Sequence, residues 1–427
     1  MALATFLLPR LKERKGGRSY NLPGSEPWPI IGNLNLIGTL PHRSIHELSK
    51  EYGELMLLRF GSFPTAKLIL KTHDVVFIDR PKTASRKHTT YNYADITWSP
   101  YGAYWHQARR IYVTELFSAR RIASFEHIRA NEMRTLVWGL FAVAASSGRG
   151  SGGGDTVHLN RDHLSTLSMN VITRMVLGKR FFSEGADVAE GPVSSLSEFK
   201  WMLDELLLLN GVLNVGDWIP WVDWMDLQGY VRRMKKVARC STRSWSTSST
   251  STASSGGTRA RGPHHRRHGE LVGYRRVGAF GAPKKTRHLR HGHRQARQHR
   301  RLRPLGNGEG HTKLPYLDTI IKETMRMHPI VPLIIPRVAR DDAAVTGYDI
   351  PKGARVLINV WTIERDPELW DAAEEFTPEW FVGSKIDVKG QDFELLPFGS
   401  GCRMCPSYNL GLKVMQLSLA NLLHGFT

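Results

Sequence analysis

Apolar positions recur at helical spacing over residues 103–136, 161–178 and 198–213, the last with the strongly apolar run Leu206–Leu209. A fourth stripe, Leu317, Ile320, Ile321 and Met325, ends before Pro329 and predicts a helix there. A short amphipathic helix is expected at Ser44–Glu51 and a basic one at Gly229–Arg239, and the run that follows Cys405 also reads as helix. Strands are expected at Leu55–Phe60 and, buried, at Val356–Val360. Between these lie a proline-dense lead, Asn21–Pro29, which blocks helix and stiffens the chain, and an aromatic loop at Asp217–Trp221. The elements add up to a mainly α protein with small β-sheets.

The pattern stops at Cys240. Thirteen of residues 241–258 are Ser or Thr, and mixtures of Arg, His and Gly follow with neither helical nor strand periodicity. Such a stretch has no apolar face to bury, so 241–312 is expected to be disordered. The formal charge of +20 also resolves there: residues 241–312 carry 16 Lys and Arg against 2 acids, whereas the other 355 residues carry 43 against 37. Basicity is thus a property of one segment. A nucleic-acid role is not expected, because the segment interleaves only Trp245, Tyr274 and Phe280 and has no repeat.

Three cysteines, Cys240, Cys402 and Cys405, are too few for a disulfide framework. No segment holds the roughly 20 apolar residues that span a bilayer. Ala2–Leu8 is apolar but stops at Pro9, and Arg10, Lys12, Arg14, Lys15 and Arg18 follow. This start reads equally as a frayed terminus or as the end of an N-terminal anchor with its positive cytoplasmic flank.

The chemistry concentrates in Phe398-Gly-Ser-Gly401-Cys-Arg403-Met-Cys405. A glycine turn sets a cysteine near a helix start with an arginine two residues before it. Dipole and cation together favour the thiolate, the form that binds metal. Two glycines allow close approach to something large and flat, which points to haem iron held by cysteine. Glu323 and Arg326, three apart on the preceding helix, share a face and can pair.

Glu323-x-x-Arg326, Phe376-Thr-Pro-Glu379 and Phe398-x-x-Gly401-x-Arg403-x-Cys405, in that order, resemble the cytochromes P-450, the haem-thiolate monooxygenases. The lead ending at Gly32-Asn33, Trp105-x-x-x-Arg109, His328-Pro329 and Pro332 are similar to the same family. Pro100–Trp105 and Tyr408–Gly411 resemble its plant microsomal, flavonoid-hydroxylase-like branch. The resemblance covers residues 19–240 and 313–427. It implies a cytochrome P-450 fold and haem b (iron protoporphyrin IX), with Cys405 as axial iron ligand, its thiolate favouring O–O cleavage. Trp105, Arg109 and Arg403 would hold the haem propionates, and Phe398 and Gly401 join them as cofactor-binding residues of the motif. Arg337 is open to the same role or to none. Glu323 and Arg326 would lock the loop that presents the cysteine. Implied partners are an NADPH-dependent reductase docking near Lys413, O2 and an apolar small molecule. The implied location is the endoplasmic reticulum membrane, with the anchor (1–18) expected to be shortened.

The chain departs from that family at named positions. Trp380 stands where the Glu-Arg-Arg network has its second arginine, and Ser407 where glycine is usual, strained if that backbone needs positive φ. Cys402 and His106 replace arginines. The distal helix motif, whose acid and alcohol relay protons to bound oxygen, has no match in 241–312, so the fold is expected to be incomplete there. Shifted by one base, Leu289–Thr312 can encode a charge-balanced segment with helical spacing, and Arg243–Thr252 shifted by two bases can read Phe-Leu-Glu-His-Val-Val-Asp-Glu-His. A frame-shifted reading of 241–312 therefore accounts for its character. Phe63–Lys67 is also expected to skip residues, and the C-terminus to stop early. The alternatives to an active monooxygenase are a non-catalytic product of a decayed or mis-assigned gene and, less favoured, a nucleic-acid binder.

Overall fold

The computed structural model describes residues 41–52, 66–147, 161–178, 196–212, 214–217, 220–253, 315–345 and 348–425, with 159 and 180. The expected anchor, the proline-rich lead, the strand at Leu55–Phe60 and most of the basic segment lie outside the described residues.

Eleven α-helices occur among the described residues: α1 (Pro41–Tyr52), α2 (Ala84–Thr89), α3 (Ala103–Ile111), α4 (Ala119–Ser124), α5 (Glu126–Ser147), α6 (Arg161–Leu177), α7 (Leu196–Gly211), α8 (Tyr230–Ala253), α9 (Pro315–Met327), α10 (Val360–Ile363) and α11 (Tyr408–Gly425). Four short strands among the described residues make two antiparallel pairs: β1 (Arg337–Val338) with β4 (Arg355–Val356), and β2 (Ala343–Val345) with β3 (Tyr348–Ile350). None of the described helices is long and apolar enough to cross a membrane.

The apolar stripe predicted on α9 is its buried face. Leu317, Ile320, Ile321 and Met325 pack with Trp370, Phe381, Leu395 and the α11 residues Leu419, Ala420 and Leu423. A second core joins Ile69, Leu70 and Phe77 from the N-terminal half to Val356, Ile358, Val360, Phe393 and Leu396 from the C-terminal half. Met133, Leu136 and Leu140 of α5 pack on Leu167 and Val171 of α6, with Leu417 and Leu422 of α11 against them. Helices α7 and α8 pair through Leu203, Leu209, Met234 and Val237.

Three expectations are corrected. The helix over 103–136 is broken into α3, a π-helical turn (Tyr112–Leu116), α4 and α5. Apolar spacing continues across the breaks, but Ser118 leaves helical backbone and caps α4 by accepting the Arg121 N–H. The strand over Val356–Val360 shrinks to two residues. Asn359 bridges to Leu333 and caps α10, so Val360 opens a helix. Finally, helix α8 passes Cys240 and runs to Ala253, so the Ser/Thr-rich stretch is helical as far as 253. Serine and threonine are weak rather than forbidden helix residues, and a packed helix can carry them on its end.

Candidate active site

The cysteine loop hangs between Phe393, Leu395 and Leu396 of the core and the start of α11. Its shape is set by main-chain bonds: the Cys405 N–H donates to the Phe398 carbonyl (3.0 Å), Met404 N–H to Gly401 (3.0 Å) and Gly399 N–H to Leu396 (3.1 Å). Gly399 and Gly401 adopt φ of 70° and 73°, which side chains resist. Cys405 ends this turn half-buried, its Sγ 3.3 Å from the Ser407 Oγ. Ser407 is absent from the described non-glycine residues with positive φ, so serine brings no strain there, and its carbonyl accepts the Gly411 N–H at the start of α11.

Gly401 has a second reason to be glycine. A Cβ there would lie 2.5 Å from the Leu70 carbonyl oxygen and 2.7 Å from the Asp74 carboxylate. Gly401→Ala is therefore expected to destabilise the protein by about 1–3 kcal/mol, seen as a melting temperature lower by several degrees. An unchanged melting temperature would contradict the close approach.

Around the loop stand four arginines, and the groups expected to hold carboxylates are among them. Trp105 is buried on α3 and donates Nε1–H to the Ile96 carbonyl (3.0 Å). The Arg403 guanidinium stacks on the Trp105 ring, 4.4 Å from its centroid, and donates to the carbonyls of Ile78 (3.0 Å), Ile96 (3.4 Å) and Ser99 (2.8 Å). Burial, opposed by Asp79 and helped by Arg337 and Arg109, lowers Arg403 to about 10. Arg109 donates to the Met404 carbonyl (2.9 Å), one residue before the cysteine. Arg80 is bonded to the carbonyls of Thr97, Ile335 and Pro336. Arg337 is buried and paired with Asp74 at 2.5 Å, and it also donates to the Ser400 carbonyl (3.1 Å). Asp95, near Arg86 and Arg80, is pushed up to about 7 by burial.

This arrangement is rich in cationic donors relative to carboxylates. Two buried polar atoms beside it, Ser99 Oγ and Arg337 Nε, have no hydrogen-bond partner among the described residues. The donor set thus fits an anionic group such as a dicarboxylate, while Trp105 and Arg403 are bonded to main-chain carbonyls of 78–99.

Glu323 and Arg326 lie fully buried on α9, joined by two bonds of 2.7 and 2.8 Å. Arg326 also donates to the carbonyls of Glu364, Ala373 and Glu375. The Phe376–Glu379 motif is fastened to the same helix, since Thr377 N–H bonds Glu323 (2.7 Å) and the Tyr316 hydroxyl donates to Glu379 (2.9 Å). Trp380 follows on a 3-10 turn, edge-on to Trp370, with its buried Nε1 lacking a hydrogen-bond partner among the described residues. Two residues escaped the sequence reading. Asp74 has no local signature, and Glu364 is a carboxyl buried completely inside the protein.

The family model for cytochrome P450 matches residues 22–243 and 294–427. The match thus breaks inside the basic segment and resumes at 294, earlier than the expected 313. The chain is 38% identical to a trimethyltridecatetraene synthase of Zea mays, over 99% of this chain and 86% of that protein. That alignment is 490 positions long, so the relative carries residues with no counterpart in these 427. It is 34% identical to a flavonoid 3'-monooxygenase of Arabidopsis thaliana, over 100% and 89%. A zebra fish cytochrome P450 solved with abiraterone superposes with a TM-score of 0.62 at 20% identity, covering 91% of each chain, and shares the fold. Glycine turn, buried glutamate–arginine helix, family match and fold together place the chain in the cytochrome P450 family.

Proposed function

We propose that this chain descends from a haem-thiolate monooxygenase that inserts one oxygen atom from O2 into an apolar plant small molecule. Electrons would come from an NADPH-dependent reductase docking near the exposed Lys413, and the site of action would be the endoplasmic reticulum membrane. The observation that carries the reading is the half-buried Cys405 on its glycine turn, with Arg109 fixing the carbonyl beside it. Haem b would supply the oxidising iron when bound. Cys405 Sγ would be its axial ligand, and Arg109, Arg403 and Trp105 would face its carboxylates in exchange for the main-chain carbonyls they now bond. Phe398 and Gly401 would shape the turn against the porphyrin, and Glu323 with Arg326 would hold the segments beneath.

The haem-reconstituted chain is expected to give a thiolate-type Soret band in the reduced carbon-monoxide difference spectrum, and Cys405→Ser to abolish it. A spectrum without that band from folded, haem-loaded parent protein would refute the assignment.

A second reading is favoured by Trp380, whose buried Nε1 has no hydrogen-bond partner among the described residues. In it the chain is a non-catalytic product of a decayed gene that keeps the thiolate loop without a proton-relaying distal helix. A frame-shifted origin of 241–312 belongs to this reading, and the break in the family match after 243 supports it. The coding sequence across 240–313 tests it: codons that forbid the alternate frames would remove it.

A further inference from the structure

We propose that Asp74 is the positioning residue of the Cys405 loop, gripping it from outside through the Cys402 amide with Arg337 as its partner; this rests on the haem-thiolate reading above. Asp74 follows a π-helical turn, Leu68–Thr72, far from the loop in sequence. One carboxylate oxygen accepts the Cys402 N–H at 2.7 Å, and the other accepts from Arg337 at 2.5 Å. Arg337 in turn donates to the Ser400 carbonyl at 3.1 Å. One buried ion pair therefore holds an acceptor and a donor on either side of Gly401, and the glycine between them rests against the same carboxylate.

The other bonds of the loop do different work. Phe398 and Arg109 hold the segment at Met404 and Cys405, while the leg from Ser400 to Cys402 takes its external anchorage from Asp74 and Arg337 and from the Ser400 hydroxyl, which donates to Gly390. A tight turn, Gly401–Arg403, closes by Met404 N–H to Gly401 and connects that leg to the sulfur. Cys405 follows three residues after Cys402, and Arg403 between them is fastened to the carbonyls of Ile78, Ile96 and Ser99. A charge-assisted bond to a main-chain N–H is about twice as strong as a neutral one, which suits a short anchor. Arg337 acts through this ion pair, a role distinct from holding a cofactor carboxylate.

The test uses the purified full chain without cofactor and follows iodoacetamide alkylation by mass spectrometry. Tryptic cleavage after Arg403 separates Cys402 from Cys405, and Cys240 on α8 serves as an internal standard. In Asp74→Asn, Cys405 is expected to react about ten-fold faster relative to Cys240, the loss of one charge-assisted bond, with Asp74→Glu recovering part of the protection. An unchanged alkylation rate at Cys405 overturns the proposal. A matched rise at Cys240 signals general unfolding, and Arg337→Lys, which keeps the charge but not the two-pronged contact, then decides. A rise at Cys405 alone supports the proposal, and any other pattern overturns it. In haem-reconstituted protein, Asp74→Asn should also move the carbon-monoxide band from thiolate type toward thiol type. If the parent shows no thiolate band, the functional reading fails, while alkylation still judges Asp74.

Discussion

Arg326→Leu is expected to lower the free energy of unfolding by about 3–5 kcal/mol, measured as a drop in the urea midpoint at unchanged slope. The reason is what the substitution leaves behind. Glu323 is fully buried and receives three short bonds, two from Arg326 and one from the Thr377 amide. Without the guanidinium it is a desolvated carboxylate with a single donor. The carbonyls of Glu364, Ala373 and Glu375 lose their partner in the same step. Trp380, which carries no charge, packs beside this cluster edge-on to Trp370. The loss is a large share of the roughly 5–15 kcal/mol by which folded proteins outlast their unfolded chains. A loss under about 1 kcal/mol would show that the pair is dispensable.

The second large effect concerns Glu364, which is fully buried just after α10. Burial pushes its carboxyl well above the ordinary range, Glu323 adds to this, and the Leu396 main chain, Arg365 and Arg326 offset only part of it. The folded form therefore holds a proton that the unfolded chain releases near pH 4.5. Stability from this group is complete below that pH and is lost as pH rises toward the folded-state pKa, by up to about 1.4 kcal/mol per pH unit. Glu364→Met, similar in size and uncharged, should remove that slope and leave the protein more stable at pH 8 than the parent. Parallel stability profiles for parent and variant between pH 5 and 8 would refute it.

The legibility of the fold in the sequence varied with how locally each feature is determined. Helix α9 announced itself, because its buried stripe and its glutamate–arginine pair both follow from spacing within a few turns. The run at 356–360 was ambiguous, since a short apolar stretch suits a buried strand and a buried helix alike, and Asn359 resolved it by capping. The breaks after α3 lay hidden under a continuing apolar period. Asp74 and Glu364 were illegible for a different reason: one is recognised only by residues 263 and 328 positions away, and the other only by the packing that encloses it. The cysteine turn was readable because its glycines, arginine and thiol sit within eight residues.

The same long-range knot bears on the chain as two pieces. Residues 66–147 and 315–425 are fastened by Asp74 to Arg337 and Cys402, by Arg80 to Ile335 and Pro336, by Arg403 to Ile78, and by the bridge from Asp79 to Val338. None of these fastenings uses the stretch between Ala253 and Pro315. The association is therefore carried by residues within the described segments. The haem-proximal body is in this sense a candidate for fragment complementation: two polypeptides, cut between α8 and α9, carry on their own surfaces the contacts that recognise each other.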